Sequence, residues 1–199
     1  MSEYRLQECL TPESMIVASN IRYQAYTSVG YEPVSTSGLF TDEFDGFSGN
    51  QTFLLYRHGR PVATVRSSIA SLELGLKALP CSKAFDPIIT HYLQHYSVLV
   101  EMNRMAVLPG CNDDRASIPM MLFSAVFPLV KQYGSVLLCC ASGKQHARYY
   151  QRMGFLRQTD FADRPGAGLP LALLTKELFA NALDFDPVLK AMSLDSNLL

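Results

Sequence analysis

Tyr150-Gln151-Arg152-Met153-Gly154-Phe155 lies just beyond the apolar run Val136-Leu137-Leu138-Cys139-Cys140-Ala141. The apolar run reads as a buried strand, Lys144 to Met153 as a helix, Gly154 as its C-terminal cap and Phe155 as the start of a further strand. Tyr150 therefore carries a phenol one helical turn before the glycine. Its neighbour Tyr149 points about 100° away around the helix axis, so only one of the two can face a given channel. A glycine cap is common in helices of every function, and the reading needs further motifs.

Val98-Leu99-Val100-Glu101-Met102-Asn103-Arg104-Met105-Ala106-Val107 supplies the next one. Strand periodicity places Glu101, Asn103 and Met105 on one face and Val100, Met102 and Arg104 on the other. Two ionisable groups thus interrupt an apolar central strand, and burying a charge is costly unless it is paired or used. The N-terminal third adds Ile21-Arg22-Tyr23-Gln24-Ala25-Tyr26, Gly30-Tyr31, Asp42-Glu43-Phe44-Asp45 and Val62-Ala63-Thr64-Val65-Arg66.

These blocks resemble, in order, elements of the acyl-homoserine lactone synthases and the related N-acyl amino acid synthases. Glu-x-x-Arg-Met-Ala-Val is similar to their Glu-x-Ser-Arg-Phe-Ala-Val, with Asn103 and Met105 as departures. The Arg22 segment resembles Arg-x-x-x-Phe, Gly30-Tyr31 resembles Gly-Trp, the Asp42 segment resembles Asp-x-x-Asp, and Arg66 ends a matching strand. The Tyr150 segment resembles the Tyr-x-x-x-Gly-Phe helix of the Gcn5-related N-acetyltransferase fold. The matches run from residue 22 to 155, roughly two-thirds of the chain. The likeness is greatest to the long-chain N-acyltyrosine synthases.

Length and composition agree with one acyltransferase domain over 1-199: 22.1 kDa with 48% apolar residues is enough for a substantial core. Net charge of -1 argues against a nucleic-acid binder. Cysteines at 9, 81, 111, 139 and 140 show no metal-ligand spacing and read as reduced packing thiols. No run approaches the ~18 apolar residues of a membrane span, and Met1 to Arg5 lead into no signal region, so a cytoplasmic enzyme without integral membrane association is the expectation. The expected fold is α/β, a mixed, mostly antiparallel sheet flanked by helices. Thr11-Pro12-Glu13-Ser14 opens a helix with Ile16, Val17, Ile21 and Ala25 at helical spacing. Gln51–Arg57 and Pro61–Ile69 form a hairpin about His58-Gly59-Arg60. A short helix falls around Phe85 to Tyr96, a Pro128-interrupted helix spans Arg115 to Tyr133, and a last strand covers Leu169 to Leu174.

The resemblance implies chemistry: transfer of an acyl group from a thioester to an amine. An α-amino group has a reference pKa near 8, so a base must take a proton, and Glu101 is the candidate. Pairing with Arg66 or Arg104 is its structural alternative. A strand bulge near Ala106 to Leu108 would free an N–H at Ala106 or Val107 for the thioester oxygen. Tyr150 would protonate the departing sulfur. Arg22 could take the acceptor's carboxylate, with Arg66 and Arg104 as competitors and Asp42 and Asp45 as holders of those arginines. Tyr26, Tyr31, Phe44 and Phe47 suit an aromatic side chain. Met120, Met121, Phe123 and Phe127 could line an acyl pocket, although plain core is the first reading of any one of them. Arg115 at a helix N-terminus would meet the phosphopantetheine phosphate, and Lys144, Arg148 and Arg152 an acidic carrier protein, unless they are only a solvated face.

Together these residues imply an acyl carrier protein-dependent N-acyltransferase acting on an amino acid, tyrosine first, with no metal and no cofactor beyond the carrier's phosphopantetheine. The alternatives are an autoinducer synthase using S-adenosylmethionine, whose tryptophan positions this Trp-free chain leaves unfilled, and a non-catalytic acyl-carrier or lipid-binding module.

Overall fold

The computed structural model describes residues 4–31, 36–76, 78–111, 117–164 and 169–180. Its strands are β1 (Tyr4–Glu8), β2 (Asn50–Arg57), β3 (Arg60–Ser71), β4 (Val98–Val107), β5 (Ser135–Ser142), β6 (Leu156–Arg157) and β7 (Ala172–Phe179). Its helices are α1 (Pro12–Ser28), α2 (Ser82–His95), α3 (Ser117–Phe123), α4 (Phe127–Tyr133) and α5 (Lys144–Arg152). The strands form one sheet in the order β1-β2-β3-β4-β5-β7-β6. Every pairing is antiparallel except that of β4 with β5.

Local chemistry explains the boundaries. Thr11 Oγ1 accepts the Ser14 N–H at 3.3 Å and Ser14 Oγ accepts the Thr11 N–H at 3.2 Å, which starts α1 with a reciprocal cap. The buried side of α1 carries Ala18, Ile21 and Arg22, while Ile16 is exposed, so the helix buries an arginine where simple spacing offered an isoleucine. His58 and Gly59 both have positive φ, 49° and 77°, the turn that joins two twisted strands in two residues. The expected helix over 115–133 is broken: a 3-10 turn at Ser124–Val126 separates α3 from α4, and Pro128 sits in the first turn of α4, where its missing N–H is harmless. The last strand begins later and runs further than expected, to Phe179. The edge strand β1 was not foreseen, although Tyr4 and Leu6 alternate with Arg5 and Gln7.

The main core fills the sheet face under α3, α4 and α5, with Phe53, Leu55, Val65, Val100, Met102, Leu122, Phe123, Val126 and Phe127 all buried. On the opposite face α1 covers Leu54 and Ala106, and α2 covers Leu99, Leu137 and Cys139 through Phe85, Ile89 and Leu93. Among the described residues no helix is long and apolar enough to cross a membrane.

Candidate active site

Two irregularities of β4 build the site. The first is a bulge. Thr64 pairs with Ala106 and Arg66 with Asn103, so two steps on β3 oppose three on β4. Arg104 takes up the extra residue with φ 51°, a left-handed conformation that costs a non-glycine residue on the order of 1 kcal/mol. Because the side-chain period is two, one added residue moves everything beyond it to the other face. Met105 and Val107 therefore pack with Met102 against the α3–α5 core, and Arg104 joins Glu101 and Asn103 on the α1–α2 face. This corrects the simple alternation, which put Arg104 with Met102 and Met105 with Glu101.

It also corrects the bulge's position, which falls at Arg104–Met105 and not at Ala106–Leu108. Those later residues are in regular register: Ala106 opposes Thr64, Val107 opposes Ala63, and the Leu108 N–H donates to Val62 O at 2.8 Å. In an antiparallel ladder alternate residues turn their N–H groups to the same neighbour. Ala106 thus directs its N–H toward β3, as Leu108 does, and Val107 directs its own toward β5.

The second irregularity lies on that side. The parallel ladder between β4 and β5 runs only from Leu99–Leu137 to Glu101–Cys139, while both strands continue beyond it. Past Glu101 the Val107 edge of β4 is left unladdered toward β5. Glu101 stands at the last rung, 3% exposed, and its Oε2 accepts the Cys81 N–H at 2.7 Å from the start of α2. Burial pushes this carboxyl up to about 7, although the Cys81 N–H and thiol and the charges of Arg66 and Arg104 pull it down. The expected pairing of Glu101 with Arg66 or Arg104 is not the arrangement found. Both arginines instead meet aspartates.

Arg66 Nη1 lies 2.6 Å from Asp42 and 2.8 Å from Asp45, and its Nε donates to Asn103 Oδ1 at 2.8 Å. Arg22 donates to Asp45 at 2.7 Å and to Thr52 Oγ1 at 3.2 Å. Arg104 Nε donates to Asp42 Oδ2 at 2.7 Å. Three guanidinium groups facing two carboxylates leave the cluster one positive charge in surplus. Burial works against the Asp42 carboxylate, but hydrogen bonds and charge from Arg66 and Arg104 outweigh it and hold the group well below the usual range. Side-chain exposure separates the arginines: 0% for Arg22 and Arg66, 32% for Arg104. Arg104 is the one that can meet a ligand; the other two are enclosed.

Beside Arg104 stand three aromatic rings. Tyr26, Tyr31 and Phe40 pack edge to face with centroids 5.0 to 6.1 Å apart, and the Arg104 guanidinium lies 4.9 Å from the Phe40 ring. Phe44 and Phe47 pair with each other, with Phe44 under Arg66 and Lys83. Phe40, Asn103, Thr52 and the Cys81 N–H were missed as site residues; Asn103 alone had a signal, as a polar departure inside a strand.

Tyr150 lies on the opposite face of the sheet. Its ring packs on Phe123 at 5.9 Å and Phe155 at 5.5 Å. Burial pushes its phenol well above the ordinary range, and Cys140, Tyr149, Tyr26 and Glu101 act in the same direction. Tyr149 turns elsewhere, with its hydroxyl buried and without a hydrogen-bond partner. Gly154, at φ 85°, ends α5, and Lys176 Nζ donates to Met153 O at 2.7 Å to close the helix. Phe123 and Phe127 are buried in the main core, with Met120 and Met121 half-buried at its margin. Lys144, Arg148 and Arg152 form an exposed stripe, one helical turn apart along α5. Arg115 lies outside the described residues.

A mixed, mostly antiparallel seven-stranded sheet whose fourth and fifth strands pair in parallel over three rungs is the Gcn5-related N-acetyltransferase fold. Among solved structures the fold is shared by FeeM, an N-acyl amino acid synthase from uncultured soil microbes (16% identity, TM-score 0.69, 98% of each chain covered). It is also shared by the acyl-homoserine lactone synthase LasI (14%, 0.64, 92% of this chain and 94% of that one) and by an acyl-CoA N-acyltransferase from Pseudomonas aeruginosa (14%, 0.51, 87% and 97%). The chain belongs to the FeeM family of N-acyl amino acid synthases, whose sequence profile matches residues 17–177. No curated protein sequence matches it closely enough to count as a relative.

Proposed function

We propose that the protein moves a long-chain fatty acyl group from the phosphopantetheine of acyl carrier protein to the α-amino group of an amino acid, with tyrosine as the first acceptor to test. The observation that carries this reading is that Glu101, at the last rung before β4 and β5 part, and Tyr150 lie on opposite faces of the sheet. The thioester enters that gap, and the amine approaches from the α1–α2 face. Glu101, directly or through water, takes the proton that the amine must lose, and a carboxyl pushed up to about 7 is matched to the task near neutral pH. As nitrogen bonds to the carbonyl carbon, the Val107 N–H holds the developing oxyanion. The C–S bond then breaks.

Tyr150 stays protonated throughout because burial raises its pKa. Full proton transfer from so weak an acid to a thiolate of reference pKa near 8.5 is uphill, so Tyr150 steadies the leaving sulfur by a hydrogen bond and solvent supplies the thiol proton. The half-buried Met120 and Met121, with Phe123 and Phe127 behind them, give the acyl chain an adaptable apolar wall. Arg22 and Arg66 serve to hold Asp42 and Asp45, and the rings of Tyr26, Tyr31 and Phe40 suit an aromatic acceptor. The Lys144, Arg148 and Arg152 stripe steers the acidic carrier, with Arg115 toward its phosphate. The chemistry needs no metal and no further cofactor.

Mass spectrometry of lipids from a bacterial host expressing the chain tests the reading. N-acyl amino acids support it. Acyl-homoserine lactones would move the protein to autoinducer synthesis, and the absence of any new lipid would favour a non-catalytic carrier-binding role.

A further inference from the structure

The connection between β6 and β7 carries a cation that the acyltransfer chemistry above leaves without a role. Ala162 and Leu171 exchange backbone hydrogen bonds of 3.2 and 2.9 Å, pinning both ends of this segment. A Cβ on Gly143 would lie 2.6 Å from Leu169 Cδ1, so Leu169 presses on the junction of β5 and α5, at the open end of the gap. From it Arg164 extends over α2, its guanidinium 4.7 Å from the centroid of the Phe85 ring. The Arg164 Nε is buried and has no hydrogen-bond partner.

Phe85 belongs to the same turn that holds the base. Its N–H donates to Cys81 O at 3.0 Å, and the Cys81 N–H donates to Glu101 Oε2 at 2.7 Å. Arg164 and Glu101 therefore flank one turn of chain on the face from which the acceptor approaches. A buried guanidinium N–H with no partner is costly and is relieved by an anion with paired oxygens. Arg22 and Arg66 are enclosed among Asp42 and Asp45, and Arg104, which is open to a ligand, already donates its Nε to Asp42, whereas no carboxylate among the described residues pairs with Arg164. The remaining anion in the proposed reaction is the acceptor's carboxylate, since the reading above assigns the pantetheine phosphate to Arg115.

We infer that Arg164, stacked on Phe85, binds the α-carboxylate of the acceptor and so restricts this enzyme to amino acids over simple amines. The inference rests on the acyltransfer reading. The purified full chain is assayed with dodecanoyl acyl carrier protein and either tyrosine or tyramine, which differ only by the carboxylate. The wild type prefers tyrosine. In Arg164→Gln the ratio of kcat/KM for tyrosine over tyramine falls at least roughly tenfold, mostly through KM, as expected for loss of a charge-assisted hydrogen bond. Arg164→Lys, which keeps the charge without the fork, retains part of the preference. Equal losses with both acceptors would make Arg164 a structural clamp and overturn the assignment, as would an unchanged ratio. If the wild type acylates neither amine, the acyltransfer reading fails first, and that result is distinct from a failure confined to the variant.

Discussion

The two faces of the central sheet are built on opposite terms. Toward α3, α4 and α5, β2 to β5 present a continuous apolar surface of Phe53, Leu55, Val65, Val100, Met102 and Leu138. Toward α1 and α2 the same strands present Thr52, Arg66, Ser68, Glu101, Asn103 and Arg104. One face stabilises by dispersion and burial alone; the other adds to its smaller apolar clusters ion pairs whose desolvation consumes much of their Coulomb gain. The difference teaches where function sits: the α1–α2 face keeps apolar packing at Leu54, Leu99 and Leu137 but interrupts it with charges that folding alone does not require. Substitutions should therefore have unlike consequences on the two sides.

The largest effect is expected at Glu101. Glu101→Gln keeps the shape and the bond from the Cys81 N–H but cannot take a proton, so turnover should fall roughly 10²–10⁴-fold with carrier binding nearly intact. Near-normal turnover in a verified fold would return Glu101 to a structural role. Asp42→Asn comes next, because it leaves Arg66 and Arg104 short of a counter-charge; urea denaturation at neutral pH should show a loss of about 3–5 kcal/mol. A loss within 1 kcal/mol would mean that Asp45 alone can neutralise the cluster.

These two carboxyls also give opposite pH signatures. Asp42 is held below its ordinary value, so its stabilisation is present above the usual carboxylate range and is lost as pH falls through it. Glu101 is raised from 4.5 to about 7, so the fold is favoured below 4.5 and loses up to about 3 kcal/mol as pH rises through 7. Activity should run against that stability, with kcat/KM rising with pH to a midpoint near 7. A profile flat from pH 5 to 8 would exclude Glu101 as the titrating base.

Charge reversal of Lys144, Arg148 and Arg152 is expected to slow carrier association and flatten its salt dependence, with steering acting over a Debye length of ~8 Å. An unchanged salt slope would place docking elsewhere. The smallest effect lies on the apolar face. Ser67 is fully buried there with its hydroxyl unpartnered, so Ser67→Ala should be neutral or stabilising by about 1 kcal/mol in thermal unfolding. A loss above that would show that the hydroxyl has a partner in solution.

Much of the fold was legible because period, caps and turn residues are local. The hairpin at His58-Gly59, the helix from Pro12 and the strand from Val98 to Val107 fell where pattern placed them. The Glu101 face was only half legible. An extra residue in a ladder leaves no trace in a sequence of alternating side chains, and Arg104, unlike a glycine, does not advertise its left-handed backbone. The break between α3 and α4 preceded the proline that hinted at it. Partner choice was also hidden: Arg22, Arg66, Asp42 and Asp45 were recognisable as a set, but which carboxylate each arginine meets, and that Glu101 meets none of them, depends on how the 36–49 segment folds back onto the sheet. Arg164 and Phe85 are far apart in sequence and carried no shared motif.

The bulge at Arg104 bears on how such a site changes over generations. Loss of that single codon would remove the extra residue and restore regular alternation, leaving Met105, Ala106 and Val107 on their present faces while withdrawing the partly exposed guanidinium from the ion-pair cluster. Lineages descended from this chain can therefore gain or lose that guanidinium through a single insertion or deletion without turning the rest of β4 over.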